Sequence, residues 1–240
     1  MAGNSPFATE REANNKALME GTATIHREAE RRPFMVAMFQ GTLPKDAYVA
    51  YLGRLAYVYE ALEETGVALK DDPDVGPIWS DALVRLPGIE ADMTAFLGPD
   101  WRQRLTPTPA TKAYADRIRE VGESFPKGYA VHHWLRYLGY LLGQDVIRKY
   151  LYKAYGEDCP VAFYDFPQIE DRKGFLGGYH AAMNAIELSP EELARFVEEG
   201  NRAFQLQIDL TDELGEEFGF TAADAEEAEQ LMDKLAKEHG

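Results

Sequence analysis

The stretch "PKDAYVAYLGRLAYVYEALEETGVAL", residues 44–69, is the clearest structural signal in the chain. Its apolar positions recur at intervals of three and four residues, among them Tyr48, Tyr51, Leu52, Leu55, Val58, Tyr59 and Leu62. That spacing places them on one face of an α-helix. Pro44 suits the start of such a helix, because a first-turn residue needs no intrahelical N–H donor. The stretch therefore predicts one long amphipathic helix.

Helical signals continue on both sides of this stretch. Further helices are predicted over about 7–29, with an interruption at Gly21, and over 33–41, 108–122, 129–154, 170–186 and 190–218. Residues 80–98 read as two short helices broken at Pro87-Gly88, and residues 158–171 as an irregular packed connector. Ser189 and Glu192 fit a capping box. No segment alternates long enough for a strand, so the sequence predicts an all-α, compact multi-helix domain over 1–220. Residues 221–240, with a cap at Thr221, are predicted to form a C-terminal helical tail.

Composition excludes several classes of protein. The chain has 240 residues, of which 45% are hydrophobic and 28% charged, as expected of a globular domain with a sizeable core. The single Cys159 excludes an intramolecular disulfide and a multi-cysteine metal site. No apolar run approaches the roughly 20 residues of a membrane span. The N-terminal residues do not resemble a secretory signal, so we expect a cytoplasmic protein.

The formal net charge is −16, from 41 acidic and 25 basic residues. Such a surface repels phosphate backbones, and no basic stripe with interleaved aromatic residues appears, so a nucleic-acid partner is not expected. The acidity has two interpretations, solubility and attraction to a basic partner, and composition does not decide between them.

A histidine and a pair of glycines are the first candidates for a functional site. His26 and Glu30 lie one helical turn apart, so the carboxylate could orient the imidazole or bind a metal beside it. In "RYLGYLLGQD", residues 136–145, Gly139 and Gly143 share a helix face, although each costs a helix roughly 1 kcal/mol relative to alanine. Glycines on one face allow close approach, either of another helix or of a flat group such as heme facing a histidine ligand.

Six stretches, in order along the chain, resemble the biliverdin-forming heme oxygenases of the animal and bacterial type. They are "HREAE" followed by "RPFMVAMFQGTL", then "YVYEALEE", "LGPDWRQRLTPTPATKAY", "RYLG", "FYDFPQIED" and "MNAIELSPEELARFVEEGNRAF". The resemblance covers about residues 15–215. It implies an all-α domain that holds heme, as cofactor and substrate, between a proximal and a kinked distal helix. It also implies consumption of oxygen and reducing equivalents, and release of biliverdin, iron and carbon monoxide.

The resemblance also assigns site residues. His26 matches the proximal iron ligand and Glu30 the acid beside it, while Gly139 and Gly143 match two glycines of the distal helix. The polar distal network, with catalytic roles, is matched by Tyr59, Tyr114 and Arg136. Residues expected to complete the heme contacts are Met35, Met38, His180 and Phe204.

The distal helix departs from the family pattern, Gly-Asp-Leu-Ser-Gly-Gly. Here the matching residues are Gly139-Tyr140-Leu141-Leu142-Gly143-Gln144. The family aspartate anchors the water that protonates the reacting oxygen, and a phenol cannot replace a carboxylate as an acceptor for several waters. Gln144 adds a side chain where the family has bare backbone. We expect the Tyr140 hydroxyl near the distal water, close to Arg136 and Tyr59; the other orientation turns Tyr140 into the core.

The cations that seat heme in the family are also replaced. At the positions of two proximal-helix lysines and of a later Lys/Arg pair near the heme propionates, this chain has Met19, Ala23, Leu176 and His180, of which only His180 can carry a positive charge. Arg54 replaces a small polar residue, and we expect it to pair with a propionate or with Tyr140.

Three interpretations remain open. The first is a working heme oxygenase with an atypical distal pocket, supplied by a reductase, ferredoxin or flavodoxin type of electron donor. The second is a heme-binding relative that stores, carries or senses heme. The third is a non-heme iron protein using acids from the set Glu30, Glu60, Glu63, Asp209 and Asp212. For an acidic donor, a local basic patch would be needed, formed by Lys112, Arg117, Lys127, Arg148, Lys149 and Lys153.

Overall fold

The computed structural model describes residues 13–220, which form nine α-helices and three short 3₁₀ turns. The helices are α1 (Ala13–Glu30), α2 (Pro33–Gln40), α3 (Lys45–Leu69), α4 (Leu86–Leu97), α5 (Trp101–Arg104), α6 (Pro109–Ser124), α7 (Pro126–Tyr155), α8 (Arg172–Ala185) and α9 (Pro190–Glu217). No strand occurs within the described range. The predicted all-α class is therefore confirmed. The predicted tail at 221–240, its cap at Thr221 and the first residues of the 7–29 helix lie outside the described residues.

Local sequence signals fix several helix ends. The Ser189 hydroxyl accepts a hydrogen bond from the backbone N–H of Glu192, and the Glu192 carboxylate accepts one from the N–H of Ser189, which confirms the capping box. Gly41 ends α2 with a φ of 70°, a left-handed conformation that favours glycine. Pro109 opens α6.

Two predicted helix breaks are wrong. Helix α1 runs through Gly21, because this glycine lets α9 approach: a Cβ there would lie 2.3 Å from Cγ1 of Val197. Pro87 and Gly88 do not separate two helices either. Both lie in the first turn of α4, where a proline loses no intrahelical hydrogen bond. A Cβ at Gly88 would lie 2.7 Å from the carbonyl oxygen of Ala162.

Two helices organise the packing. Helix α3 lies at the centre of the main core and packs against α4 and α6, while α9 packs against α1, α6 and α7. A second, smaller group of apolar residues joins α1, α7 and α9, and we call it the cleft cluster. It consists of Ile25, Ala29, Trp134, Leu135, Phe204 and Ile208. Because α9 supports both α1 and α7, it fixes the floor of the space between them.

None of the helices in residues 13–220 combines the length and the apolar character that a membrane crossing requires.

Candidate functional site

His26 stands at the edge of the cleft cluster. Its imidazole ring lies 5.0 Å from the ring of Phe204, measured between centroids. The side chain is about half exposed, and Nε2 lies 3.3 Å from Oε1 of Glu30, one turn further along α1. A carboxylate that holds one ring nitrogen orients the imidazole and leaves the other nitrogen for a ligand. His26, Glu30 and Phe204 are therefore brought together as predicted.

Gly139 faces open space on α7. It lies one turn after Leu135 of the cleft cluster, and a Cβ added to Gly139 would meet no atom within 4 Å. Gly143 follows one turn later, where a Cβ would lie 3.3 Å from Cδ1 of Ile147. Leu142 is 65% exposed on this part of the helix. The bare backbone of α7 thus flanks the same cluster as His26.

Gln144 adds no bulk to this open face. The side chain is buried, and its Nε2 donates to the carbonyl oxygen of Leu141 at 3.1 Å. The side chain that Gln144 adds to the family pattern therefore lies on the side of α7 that faces the core.

A buried polar network lies behind the open face of α7. The Arg136 guanidinium donates to Oε1 of Gln207 and, at 2.9 Å, to the hydroxyl of Tyr140. The Tyr140 hydroxyl lies 2.8 Å from that of Tyr51, which belongs to α3. The network therefore ties α7 to both α3 and α9. We call it the distal network.

Tyr140 combines the two orientations considered for it. Its ring packs edge-on against Phe163, at 4.9 Å between centroids, and against Tyr164, at 5.6 Å. Its hydroxyl is held by Arg136, as expected, but its second partner is Tyr51 rather than Tyr59. Burial raises the pKa of Tyr140 well above its ordinary value, although nearby Arg136 opposes the shift. Tyr140 is therefore a neutral phenol.

Tyr59 and Tyr114 lie beside the guanidinium of Arg136. Tyr59 donates at 2.7 Å to the backbone carbonyl of Arg136, and its ring centroid lies 5.6 Å from the guanidinium carbon. The hydroxyl of Tyr114 and Nε of Arg136 are both buried without a hydrogen-bond partner among the described atoms. Burial raises the pKa of Tyr114 to about 12, so it too is neutral at physiological pH.

Sequence reasoning missed Tyr51 and Gln207. Tyr51 belongs to the apolar stripe of α3, and Gln207 lies three residues after Phe204 on α9. The sequence predicts only that Tyr51 lies on the apolar face of one helix and that Gln207 lies within another. Nothing in either local pattern reveals that Gln207 meets Arg136 or that Tyr51 meets Tyr140.

The other described histidines do not compete with His26 for the cleft. His132 is buried, and its Nε2 lies 2.8 Å from Oε1 of Glu199. His133 is buried with Nδ1 at 2.8 Å from the hydroxyl of Tyr179, and burial lowers its pKa to about 3. His180 is exposed on α8, where its backbone carbonyl accepts a hydrogen bond from Asn15 at 2.9 Å.

Met35, Met38 and Arg54 lie in surroundings that differ from those expected. Met38 is buried in the main core and Met35 is partly buried against it, so neither belongs to the cleft cluster. Arg54 pairs with Glu217 and, at 3.8 Å, with Glu213 on α9. Its expected pairing with Tyr140 is wrong, because the last turns of α9 supply carboxylates closer to it.

The acids proposed for non-heme iron do not converge. Glu63 accepts hydrogen bonds from the first backbone N–H groups of α4, and Asp212 pairs with Arg32. Within residues 13–220, no group of three or more His, Cys, Asp or Glu residues could hold a metal ion. The described residues therefore lend no support to the third interpretation.

Part of the proposed basic patch is paired with acidic residues. Arg117 pairs with Glu199 and Glu120, Lys127 with Glu192 and Asp74, and Arg148 with Asp145 and Asp165. Lys112, Lys149 and Lys153 are exposed. Half of the six cations are thus occupied by carboxylates of the same chain.

Comparisons with known proteins show what the chain as a whole is similar to. Residues 13–213 match the family model described as heme oxygenase. The chain is 34% identical over 198 residues to heme oxygenase 1 of Synechocystis, covering 82% of each chain. It is 35% identical over 206 residues to rat heme oxygenase 1, covering 83% of this chain and 71% of the relative. The crystal structure of heme oxygenase-1 from Synechocystis in complex with heme superposes with a TM-score of 0.81 at 31% identity, covering 93% of this chain and 98% of the other.

Proposed function

The chain belongs to the heme oxygenase family, and from this premise we propose that it degrades heme, binding it as both cofactor and substrate. The products are biliverdin, iron and carbon monoxide, and the reaction consumes oxygen and electrons. One observation carries the proposal. The half-exposed His26, paired with Glu30, lies on one side of the cleft cluster, and the open backbone at Gly139 lies beside the same cluster.

The two faces of the cleft fit a heme. On α1, Glu30 orients the His26 imidazole, which can supply an axial nitrogen. On α7, the space at Gly139 is what a flat ring needs to approach the helix backbone. The cleft cluster between them offers an apolar floor, with the Phe204 ring against His26.

One edge of the site does not fit the family pattern. Met19 and Ala23, two turns and one turn before His26 on α1, carry no charge. Leu176 on α8 is partly buried against the main core, and His180 is exposed. These four residues provide no lysine or arginine for the carboxylates of a heme.

Bound heme supplies the iron that activates oxygen and the ring that is cleaved. The chain's own residues have separate tasks. His26 would bind the iron, and Glu30 orients the His26 imidazole. Gly139 leaves room at the distal face, and α7 with the cleft cluster excludes bulk water. Arg136 fixes the Tyr140 hydroxyl, which as a neutral phenol can donate a hydrogen bond and share a proton with Tyr51.

A second candidate function is heme binding without efficient degradation. In the described part of the chain, the guanidinium of Arg136 donates to Gln207 and Tyr140, and its backbone carbonyl accepts a hydrogen bond from Tyr59. All three partners are neutral. A network without a carboxylate orders water less strongly than one with it, because ionised acceptors form the stronger hydrogen bonds. Slow or incomplete turnover follows from this feature.

We further propose an electron donor of the reductase, ferredoxin or flavodoxin type. Each turnover needs electrons that no described group of the chain can store. The acidic surface favours a donor with a basic docking face, because complementary fields raise encounter rates.

An absorption titration with hemin, followed by ascorbate or a reductase in air, tests the function. A saturable Soret band that gives way to the biliverdin spectrum supports heme degradation. A saturable band that persists under reduction supports the binding protein. A titration without any saturable Soret change contradicts both.

A further inference from the structure

Four residues stand where the family has its heme-seating cations, and none of them is a lysine or an arginine; we call them the cleft rim. It consists of Met19, Ala23, Leu176 and His180. Asn15 joins the two helices that carry these residues, since its side-chain amide donates to the backbone of His180 at 2.9 Å and to the side chain of Asn184 at 2.7 Å. Met19 lies one turn after Asn15 on α1, and Leu176 lies one turn before His180 on α8. The two helices that carry the rim residues are therefore tied together near the rim.

The rim lies within reach of a porphyrin edge. Seven residues separate Met19 from His26, and this stretch of α-helix rises about 10 Å. A porphyrin whose iron is bound by His26 extends its side chains over about this distance. Met19 is 60% exposed, one of the few large apolar side chains left open to solvent in the described structure. An exposed methionine offers an adaptable apolar contact rather than an ion pair.

The cations nearest along the sequence are not aimed at the rim by any described contact. Lys16 lies three residues before Met19 and approaches Glu20 at 3.9 Å, with both side chains more than two-thirds exposed. Arg27, beyond His26, donates to the hydroxyl of Thr24. Lys173 is exposed at the start of α8.

We propose that the cleft rim makes this chain indifferent to the carboxylates of its substrate, so that Met19 and its neighbours select an iron porphyrin by its apolar ring and not by its charge. This inference rests on the proposed function and deepens it. Binding energy then comes from the His26–iron bond and from apolar contacts, neither of which is screened by salt. The substrate class is iron porphyrins in general, including those whose propionates are esterified.

The test measures binding rather than turnover. The full-length protein is titrated with hemin and with hemin dimethyl ester, at low and high sodium chloride, and the Soret change gives Kd. We expect the two Kd values to agree within about threefold at high salt, and hemin binding not to weaken as salt rises, because no ion pair is screened and salt only relieves the repulsion from the acidic chain.

Two variants make the test specific. Met19→Lys should tighten hemin binding by about two- to fivefold at low salt, the range of one exposed ion pair, and this gain should vanish at high salt. The ester should gain nothing. Ala23→Lys should act in the same way. Val67→Lys adds the same charge at a position that is 53% exposed on α3, and it should change neither Kd.

Other outcomes overturn the inference. If wild-type hemin binding weakens steeply with salt and the ester is rejected, the carboxylates are paired, and Lys16→Ala and Lys173→Ala would identify the cation. If hemin binds, the proposed function survives this result. If neither porphyrin gives a saturable Soret change, the proposed function and this inference fail together.

Discussion

The Tyr140 hydroxyl lies 2.8 Å from the Tyr51 hydroxyl, and the same Tyr140 oxygen accepts a hydrogen bond from Arg136 at 2.9 Å. A helix residue next to an open glycine is thereby held from behind by two other side chains. Its phenol is directed by the core, whereas the space at Gly139 belongs to the cleft. This division of roles decides what substitutions of Tyr140 should do.

Tyr140→Asp should raise the yield of biliverdin per heme consumed, because it gives the buried Arg136 a carboxylate partner that can anchor water. Tyr140→Phe removes the hydroxyl and keeps the ring packing on Phe163. In the heme complex, Tyr140→Phe should alter the pKa of the water bound to the ferric iron, which is measured by absorption against pH. If the wild type converts heme cleanly and Tyr140→Phe behaves identically, the phenol has no part in the reaction.

His26→Ala should abolish the native ferric heme spectrum, because it removes the axial imidazole, and added imidazole should restore it. His180→Ala is the matched control, since His180 is also an exposed helix histidine. The control should keep the native spectrum. An unchanged spectrum in His26→Ala would remove His26 from the site.

Gly139→Ala should raise the free energy of unfolding of the heme-free protein by about 0.5–1 kcal/mol, because alanine favours helix and the added Cβ meets nothing within 4 Å. Gly139→Leu should weaken hemin binding by filling the cleft. Gly21→Ala is the contrasting variant: its Cβ would lie 2.3 Å from Val197, so it should be destabilising. Denaturant unfolding and hemin titration measure the two effects. A destabilised Gly139→Ala would mean that the position is not open.

Glu199 should make stability depend on acid pH. Burial raises the pKa of its carboxyl, but hydrogen bonds from His132 and Arg117 outweigh burial and lower the pKa to about 2. The ionised carboxylate therefore contributes roughly 3 kcal/mol at neutral pH. This contribution is fully present above the unfolded pKa of 4.5 and is lost as the pH falls towards 2. Glu199→Gln should be less stable than wild type at pH 7, and denaturant curves should converge near pH 2. A constant difference across this range would contradict the assignment.

Reduction by an acidic ferredoxin should be slow and should speed up as salt screens the repulsion from a chain of net charge −16. The cations Arg117, Lys127 and Arg148 are already paired with carboxylates, which supports this expectation. Stopped-flow reduction at several salt concentrations measures it. A rate that falls steeply with salt would instead indicate a local patch around Lys149 and Lys153.

Much of the fold could be predicted because helix periodicity and end signals are local properties. Ser189 and Glu192 mark the start of α9 through hydrogen bonds within four residues, and Pro109 marks that of α6. Gly21 was misjudged for the opposite reason. A glycine read alone suggests a break, whereas here its role depends on Val197, which is distant in sequence.

The site was only partly predictable. His26, Glu30 and Gly139 followed from helical spacing and from the resemblance to heme oxygenases. The partners of Arg136 and Tyr140 did not, since Gln207 and Tyr51 come from helices that meet only in the folded chain. The burial of Gln144 also depends on how α7 is rotated against the core, which a small shift in helix phase would reverse.

The separation of the cleft cluster from the main core has a thermodynamic consequence. If heme fills the cleft as proposed, it becomes the missing packing partner between α1 and α7, and it should raise the melting temperature further as its free concentration exceeds Kd. Degradation then removes this partner from inside the protein. Each catalytic cycle would leave α1 less firmly held than before, so the reaction itself would loosen the walls through which its product must depart.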